Sequence, residues 1–441
     1  MEIGTKLVLS SILSLTLAAE LSAQNCQNTS VGFTPLNDLG AGLYQGFPGG
    51  LYPGGLNQRP AGHEAAGLVE MQQVVPRDGS GQADALNGRI VLLSIGMSNT
   101  RQEFGAFANL ADGDGEINDQ VILFNGAQGG WTADEIADPQ ASFWSNIESN
   151  LQQAGLTPLQ VQAVWFKEAY SNPQGSFPQH AQSLQTDFMT IMNVLRDKYP
   201  NLRLCYCASR IYAGYATGNL NPEPYAYESG FSVKWLIEEQ LNGNPQLNFD
   251  PNLGPVEAPW IAWGPYLWAD GLTPRSDGLI WECQDFQADG THPSADFGAP
   301  KVAAQLMAFF KQDSTTAAWF LGDGGGGEVL LLSQRPLRRG RQTEMRVRMA
   351  QPGETIYFLY SLTGTGQGPC PATLGGLCLD LLAPIEIVGN AAADQNGEAT
   401  LSFDIPADAP LIDVHTQAVA QRGPGGDDSV KSNALTAPIL P

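Results

Sequence analysis

The chain has 441 residues, 43% of them hydrophobic, which suits two or three domains with a sizeable core and excludes a disordered chain. Its 45 acidic residues against 22 basic ones give a formal net charge of −23. That excess excludes nucleic acid and anionic membrane surfaces as natural partners and suits a soluble exported protein. At the N-terminus, Lys6, the apolar run 7–19 and the small residues up to Ala23 have the pattern of a signal peptide over 1–23, with cleavage ahead of Gln24. The run is short for a membrane span, and no later segment is apolar enough to cross a bilayer. Cys26 follows Ala23-Gln24-Asn25, a poor lipoprotein site, so no anchor is expected. The expected location is therefore secreted, periplasmic or cell-surface.

Export permits disulfides. Of the six cysteines, Cys370 and Cys378 flank a short Pro/Gly-rich loop and are the easiest pair to propose. A link from Cys283 to Cys205 or to Cys207 is a further candidate. No CxxC motif and no Cys/His cluster argues for zinc, and neither a metal nor an organic cofactor is expected.

Residues 24–87 are rich in Gly and Pro, most densely at 44–55, and read as an irregular segment packed over the main domain. From 88 to 313, strands and helices alternate. The runs 89–95 (RIVLLSI), 121–124 (VILF), 161–166 (VQAVWF), 202–208 (LRLCYCA) and 260–263 (WIAW) read as strands, with 279–281 as another candidate. Ala181, Leu184, Phe188, Ile191 and Leu195 recur at helical spacing, as do Val233, Leu236, Ile237 and Leu241. A last helix is expected after Ser294 as N-cap, running through Val302, Leu306 and Phe310. Apolar strands interleaved with amphipathic helices imply a parallel sheet covered on both faces. Residues 314–327, ending in GDGGGG, read as a linker. Beyond it, 328–332, 344–349, 355–362, 399–405 and 411–420 are short strand-like runs, the pattern of a small all-β sandwich serving as an accessory or attachment module.

Acid–base chemistry near neutral pH usually recruits histidine, and only His63, His180, His292 and His415 are present. His63 lies in the Gly/Pro-rich segment, His180 opens a helix expected at the surface, and His415 sits in a strand of the β module. His292 stands three residues after Asp289 in ADGTHPS, a spacing at which a turn brings a carboxylate to an imidazole. At the other end of the domain, the first strand runs into Gly96-Met97-Ser98-Asn99. A serine at the carboxyl end of the first parallel strand is well placed to be a nucleophile. A polar loop with an incidental histidine, and a serine that merely begins a helix, are the plainer alternatives. The acidic turn 112–119 (DGDGEIND) lacks the distal glutamate of a calcium loop and reads as solvated.

The serine after glycine at the end of the first strand, with DxxHP before the last helix, resembles the first and last motif blocks of the SGNH/GDSL hydrolases. The resemblance covers about residues 88–313. It implies a flavodoxin-like three-layer α/β/α sandwich and a Ser98, Asp289, His292 triad in that chain order. It also implies an oxyanion site made by the Ser98 amide and a glycine after the second strand, for which Gly130 is the best match and Gly129 the near alternative. The family's GxND third block is absent. GMSN and Trp165-Phe166-Lys167-Glu168 look similar instead to a sialate and acetyl-xylan esterase-like branch. There Lys167 stands where that branch has an oxyanion-binding Gln, although a lysine paired with Glu168 or another acid is the alternative. The resemblance thus implies a cofactor-free serine esterase acting on a small acyl ester, such as acetate on a glycan. Trp131, Trp260, Trp263 and Trp268 would stack on sugar rings or pack the core. The competing reading is a non-catalytic surface or glycan-binding protein built on the same scaffold.

Overall fold

Five of the apolar runs become strands of one sheet: β1 (Ile90–Gly96), β2 (Val121–Asn125), β3 (Val161–Lys167), β4 (Leu204–Cys207) and β5 (Trp260–Trp263). All neighbours are parallel, in the order β2-β1-β3-β4-β5. The computed structural model describes residues 24–321, 330–366, 368–395 and 397–441. The expected signal peptide, the linker glycines and Glu328 lie outside the described residues. Every residue of β1, β3, β4 and β5 is buried, as a sheet covered on both faces requires, whereas in the edge strand β2 only Val121 is. The run 279–281 forms no strand; Trp281 is instead buried in a loop, its indole N–H donating to the Leu267 carbonyl at 2.9 Å.

The covering helices are α1 (Ala61–Met71), α2 (Ser98–Asp112), α3 (Ser142–Gln153), α4 (Gln179–Lys198), α5 (Tyr225–Leu241) and α6 (Gly298–Gln312). The periodic residues expected to face inward on α4 do so: Ala181, Leu184, Phe188, Ile191 and Leu195 are buried. Helix α2 packs on α6, and α4 on α5. Helix α6 begins at Gly298 rather than directly after Ser294, although the Ser294 hydroxyl accepts the Gly298 amide at 3.2 Å. Helix α1 corrects the expectation of an irregular 24–87 segment. Pro60 precedes it and does not break it, and Gly67 is there for packing: a Cβ would lie 2.3 Å from the Trp260 ring.

The C-terminal part is all β: β6 (Leu331–Gln334), β7 (Leu337–Arg338), β8 (Gln342–Arg348), β9 (Thr355–Ser361), β10 (Glu386–Ala392), β11 (Ala399–Asp404), β12 (Asp413–Ala420), β13 (Val430–Lys431) and β14 (Leu435–Leu440). One sheet runs β11-β8-β6 and the other β10-β9-β12-β14-β7, with β13 paired to β12. The pairings are antiparallel except β14 with β7.

Two disulfides are present, Cys370–Cys378 and Cys26–Cys283. The second overturns the proposed partners of Cys283: Cys205 and Cys207 are free thiols, buried inside strand β4. The Cys26–Cys283 bridge spans 257 residues, so it removes a large share of the unfolded chain's freedom. We expect Cys26→Ser to cost about 2–5 kcal/mol in urea unfolding. Unfolding that is insensitive to this change would contradict the pairing.

Candidate active site

The order β2-β1-β3 reverses direction at β1, and in open parallel sheets such a switch point leaves a crevice at the carboxyl ends of the strands. Ser98 stands there as the first residue of α2. The turn into the helix is sharp because β1 ends in Gly96, where a Cβ would lie 2.1 Å from the Lys167 carbonyl oxygen and 2.4 Å from Thr100 Oγ1. A helix's first amides have no partner within the helix, so the Ser98 N–H sits at a locally positive end.

The structure brings Ser98, His292 and Asp289 together. Ser98 Oγ is 2.7 Å from His292 Nε2, and His292 Nδ1 is 2.5 Å from Asp289 Oδ2. The other carboxylate oxygen of Asp289 accepts the amides of Thr291 and His292, each at 3.0 Å. Partial burial alone would raise the Asp289 carboxyl, but the imidazole and the two amides outweigh it and hold it down at about 2. With Asp289 ionised at neutral pH, Nδ1 carries the proton and Nε2 is left to accept from Ser98. The loop between them requires Gly290, at φ +69°, where a Cβ would meet the Tyr215 carbonyl oxygen at 2.2 Å.

Asp289 gives the fold a specific acid sensitivity. A carboxyl held below its unfolded value of about 3.9 stabilises the fold above that pH. That contribution is lost as pH falls through the folded value of about 2. The stability difference between the wild type and Asp289→Asn is expected to be constant near neutral pH and to close between about pH 4 and pH 2. Urea titrations across that window check it, and a difference that is unchanged at its lower end contradicts the assignment.

Three side chains that sequence reasoning did not assign hold this loop. Asn99 Nδ2 donates to the Thr291 carbonyl at 2.8 Å, which ties the nucleophile's helix to the histidine loop. Arg210, just past β4, donates from Nη2 to Thr291 Oγ1 at 2.9 Å, and that hydroxyl donates to the Leu220 carbonyl at 3.0 Å. The signal that could have found Arg210 was its position beyond the carboxyl end of a parallel strand.

The glycine turn after β2 is pinned to β1 by the Gln128 amide, which donates to the Gly96 carbonyl at 2.9 Å. Within it a Cβ on Gly129 would be 3.6 Å from Ser98 Cβ, and one on Gly130 would meet nothing within 4 Å. Lys167 is not brought to the crevice. It is 1% exposed, and its ammonium donates to both carboxylate oxygens of Glu103, at 2.6 and 2.5 Å. Burial pulls Lys167 down to about 8, against the attraction of Glu103. Its pairing is thus with an acid, though with Glu103 rather than Glu168. Burial pushes Glu168 well above the ordinary carboxylate range; it accepts the Ala169 amide at 2.8 Å.

The other histidines are engaged elsewhere. His63 is buried on Trp260, with Nε2 2.8 Å from the Ile261 carbonyl oxygen, and burial lowers it to about 4. His180 corrects its expected surface placement: it is buried, with Nε2 hydrogen-bonded to Glu228 Oε2. His415 Nδ1 is 2.8 Å from Thr436 Oγ1 in the β domain. In the acidic turn, Asp114 and Glu116 both pair with Lys311 at 2.6 Å.

Beside Ser98 runs a groove of about 510 Å³ between α2 and the start of α6, lined by Gly129, Gly105, Ala299, Gln102 and Gln287 among others. None of the four tryptophans considered for sugar stacking lines it: Trp260, Trp263 and Trp268 are core residues, and Trp131 packs on Phe143 at 6.0 Å between ring centroids.

No family model matches the chain, and no curated protein matches it significantly. Solved structures are similar at low sequence identity and low TM-score. The periplasmic domain of a Salmonella ser. Paratyphi A lipopolysaccharide acetyltransferase is 13% identical over 50% of this chain and 83% of its own, at a TM-score of 0.28. The protein YXIM of Bacillus subtilis is 12% identical over 52% of this chain and 58% of its own, at a TM-score of 0.28. A Salmonella alpha-2-macroglobulin is 12% identical over 26% of this chain, at a TM-score of 0.19, and this chain spans 10% of its length.

Proposed function

We propose that the chain is a serine esterase that hydrolyses a small acyl ester. The observation that carries this reading is the continuous Ser98–His292–Asp289 hydrogen-bond chain at the switch point of the sheet. His292 Nε2 takes the hydroxyl proton as Ser98 Oγ forms a bond to the ester carbonyl carbon. Asp289 keeps Nδ1 protonated and stabilises the imidazolium. The amides of Ser98 and Gly129 receive the developing oxyanion, so Gly129 takes the part first given to Gly130, and Lys167 drops out. The imidazolium returns its proton to the departing alcohol. Water, deprotonated by the same imidazole, then releases the acid and restores Ser98.

The SGNH resemblance of GMSN and DGTHP supports an acetyl or similarly small acyl group on a carbohydrate. Glycine and alanine walls beside Ser98 leave room for such an ester, and Gln102 and Gln287 offer hydrogen bonds to hydroxyl groups. Two disulfides support an exported protein, and among the described residues no helix is long and apolar enough to cross a membrane. The β domain would then serve attachment or glycan binding. A fluorophosphonate ester tests the centre directly. Stoichiometric covalent label on Ser98, found by peptide mass spectrometry, is expected; label elsewhere or none favours the non-catalytic alternative.

A further inference from the structure

Burial of an unneutralised guanidinium is costly, so a protein that keeps one needs a reason. Arg210 is 2% exposed, burial pulls it below the ordinary guanidinium range, and Glu103, Glu168, Glu223 and Asp289 act on it from beyond ion-pair distance. The nearby acids are committed elsewhere: Glu103 to Lys167, Asp289 to His292, and Glu223 to the Trp268 indole and the Ala213 and Tyr227 amides. Glu168 has its acidity suppressed by burial. Among the described residues the Arg210 side chain makes one hydrogen bond, from Nη2 to Thr291 Oγ1, and its buried Nε finds no partner.

Thr291 is the middle of the Asp289–His292 turn. Its amide donates to Asp289 Oδ1, its carbonyl accepts Asn99 Nδ2, and its hydroxyl joins Arg210 to the Leu220 carbonyl. The loop tip is half-open to solvent, with His292 17% and Asp289 37% exposed at the side chain, so packing alone does not hold the imidazole. We infer that Arg210 is a positioning residue: through Thr291 Oγ1 it fixes the turn that aims His292 at Ser98. The inference deepens the esterase reading and rests on it. The positive charge adds a second effect, because it lies where it favours the Asp289 carboxylate over its protonated form.

The geometry separates this role from mere stability. Thr291→Ser keeps the hydroxyl, whereas Thr291→Val keeps the shape and removes it. Arg210→Lys keeps the charge at a shorter reach, and Arg210→Met removes it. If the two residues act through one bond, the Thr291→Val/Arg210→Met pair is no worse than the worse single change.

Two readouts decide the matter on the full chain. The first is steady-state hydrolysis of nitrophenyl acetate. Thr291→Val and Arg210→Met are expected to lower kcat about 10- to 100-fold with KM little changed, and Thr291→Ser to retain wild-type kcat. The second needs no turnover: the downfield proton resonance of the His292 Nδ1–Asp289 hydrogen bond, recorded in a Ser98→Ala background. It is expected to persist with Thr291→Ser and to broaden or vanish with Thr291→Val. Thermal unfolding identifies any variant that has simply lost its fold, and Thr291→Ser then stands as the folded comparison. Unchanged kcat and an unchanged resonance in folded Thr291→Val overturn the inference, as do fully additive effects in the double variant. A wild type that hydrolyses no ester ends the esterase reading, and the resonance still decides whether Arg210 holds the loop.

Discussion

If the chain is the proposed esterase, Ser98→Ala is expected to lower kcat for short-chain acetyl esters by about 10⁴- to 10⁶-fold and to leave unfolding where it was. The size follows from the site's construction. On the proposed mechanism the hydroxyl oxygen forms the acyl-enzyme, and without it His292 and Asp289 have nothing to activate. On the same mechanism, what survives is the binding of the groove and the pull of the backbone amides on the carbonyl. The small structural effect follows from position. The Ser98 side chain bonds to His292 Nε2, while the loop is gripped independently by Asn99 and Arg210. Rates on nitrophenyl acetate, measured beside thermal melts, check both halves. Equal rates from the two proteins would remove Ser98 from the chemistry.

Glu103→Leu is expected to destabilise the α/β domain by about 3–5 kcal/mol, the largest stability loss anticipated for a single side chain here. Glu103 is fully buried on α2, and both of its oxygens hold the buried Lys167 ammonium. Removing the acid leaves a buried cation without its ion-pair partner, and the lysine responds by losing its proton or by opening the structure. Adding Lys167→Met to the first change takes out the stranded charge as well, so the double variant should recover most of the loss. Urea unfolding of the two single variants and the double gives the coupling directly. The same set asks about catalysis: if Lys167 serves only as a buried ion-pair partner, the folded double variant keeps its acetyl esterase rate. A rate that falls far more than stability does would return Lys167 to the oxyanion site.

The sheet was legible because its strands are uninterrupted apolar runs, and such runs leave few alternatives to a doubly covered parallel sheet. Ser98 and His292 were legible as an order and a spacing along the chain. Their meeting at 2.7 Å depends on a topology that no local pattern encodes. Helix α1 was hidden because Pro60 and Gly67 read as breakers, although one begins the helix and the other clears Trp260. Cys26–Cys283 was hidden for a related reason: contacts 257 residues apart leave no periodic trace. The edge strand β10 escaped because most of its residues face solvent and carry little alternation. Lys167 was ambiguous because its partner Glu103 lies 64 positions away and meets it only once α2 docks on the sheet.

The beginning of the described chain runs unusually close to the candidate chemistry. The Gln24 amide donates to the Ala288 carbonyl at 2.7 Å, one residue before Asp289, and the Asn25 amide donates to Tyr215 at 2.8 Å. A tag fused directly to Gln24 would therefore start beside the loop that carries Asp289.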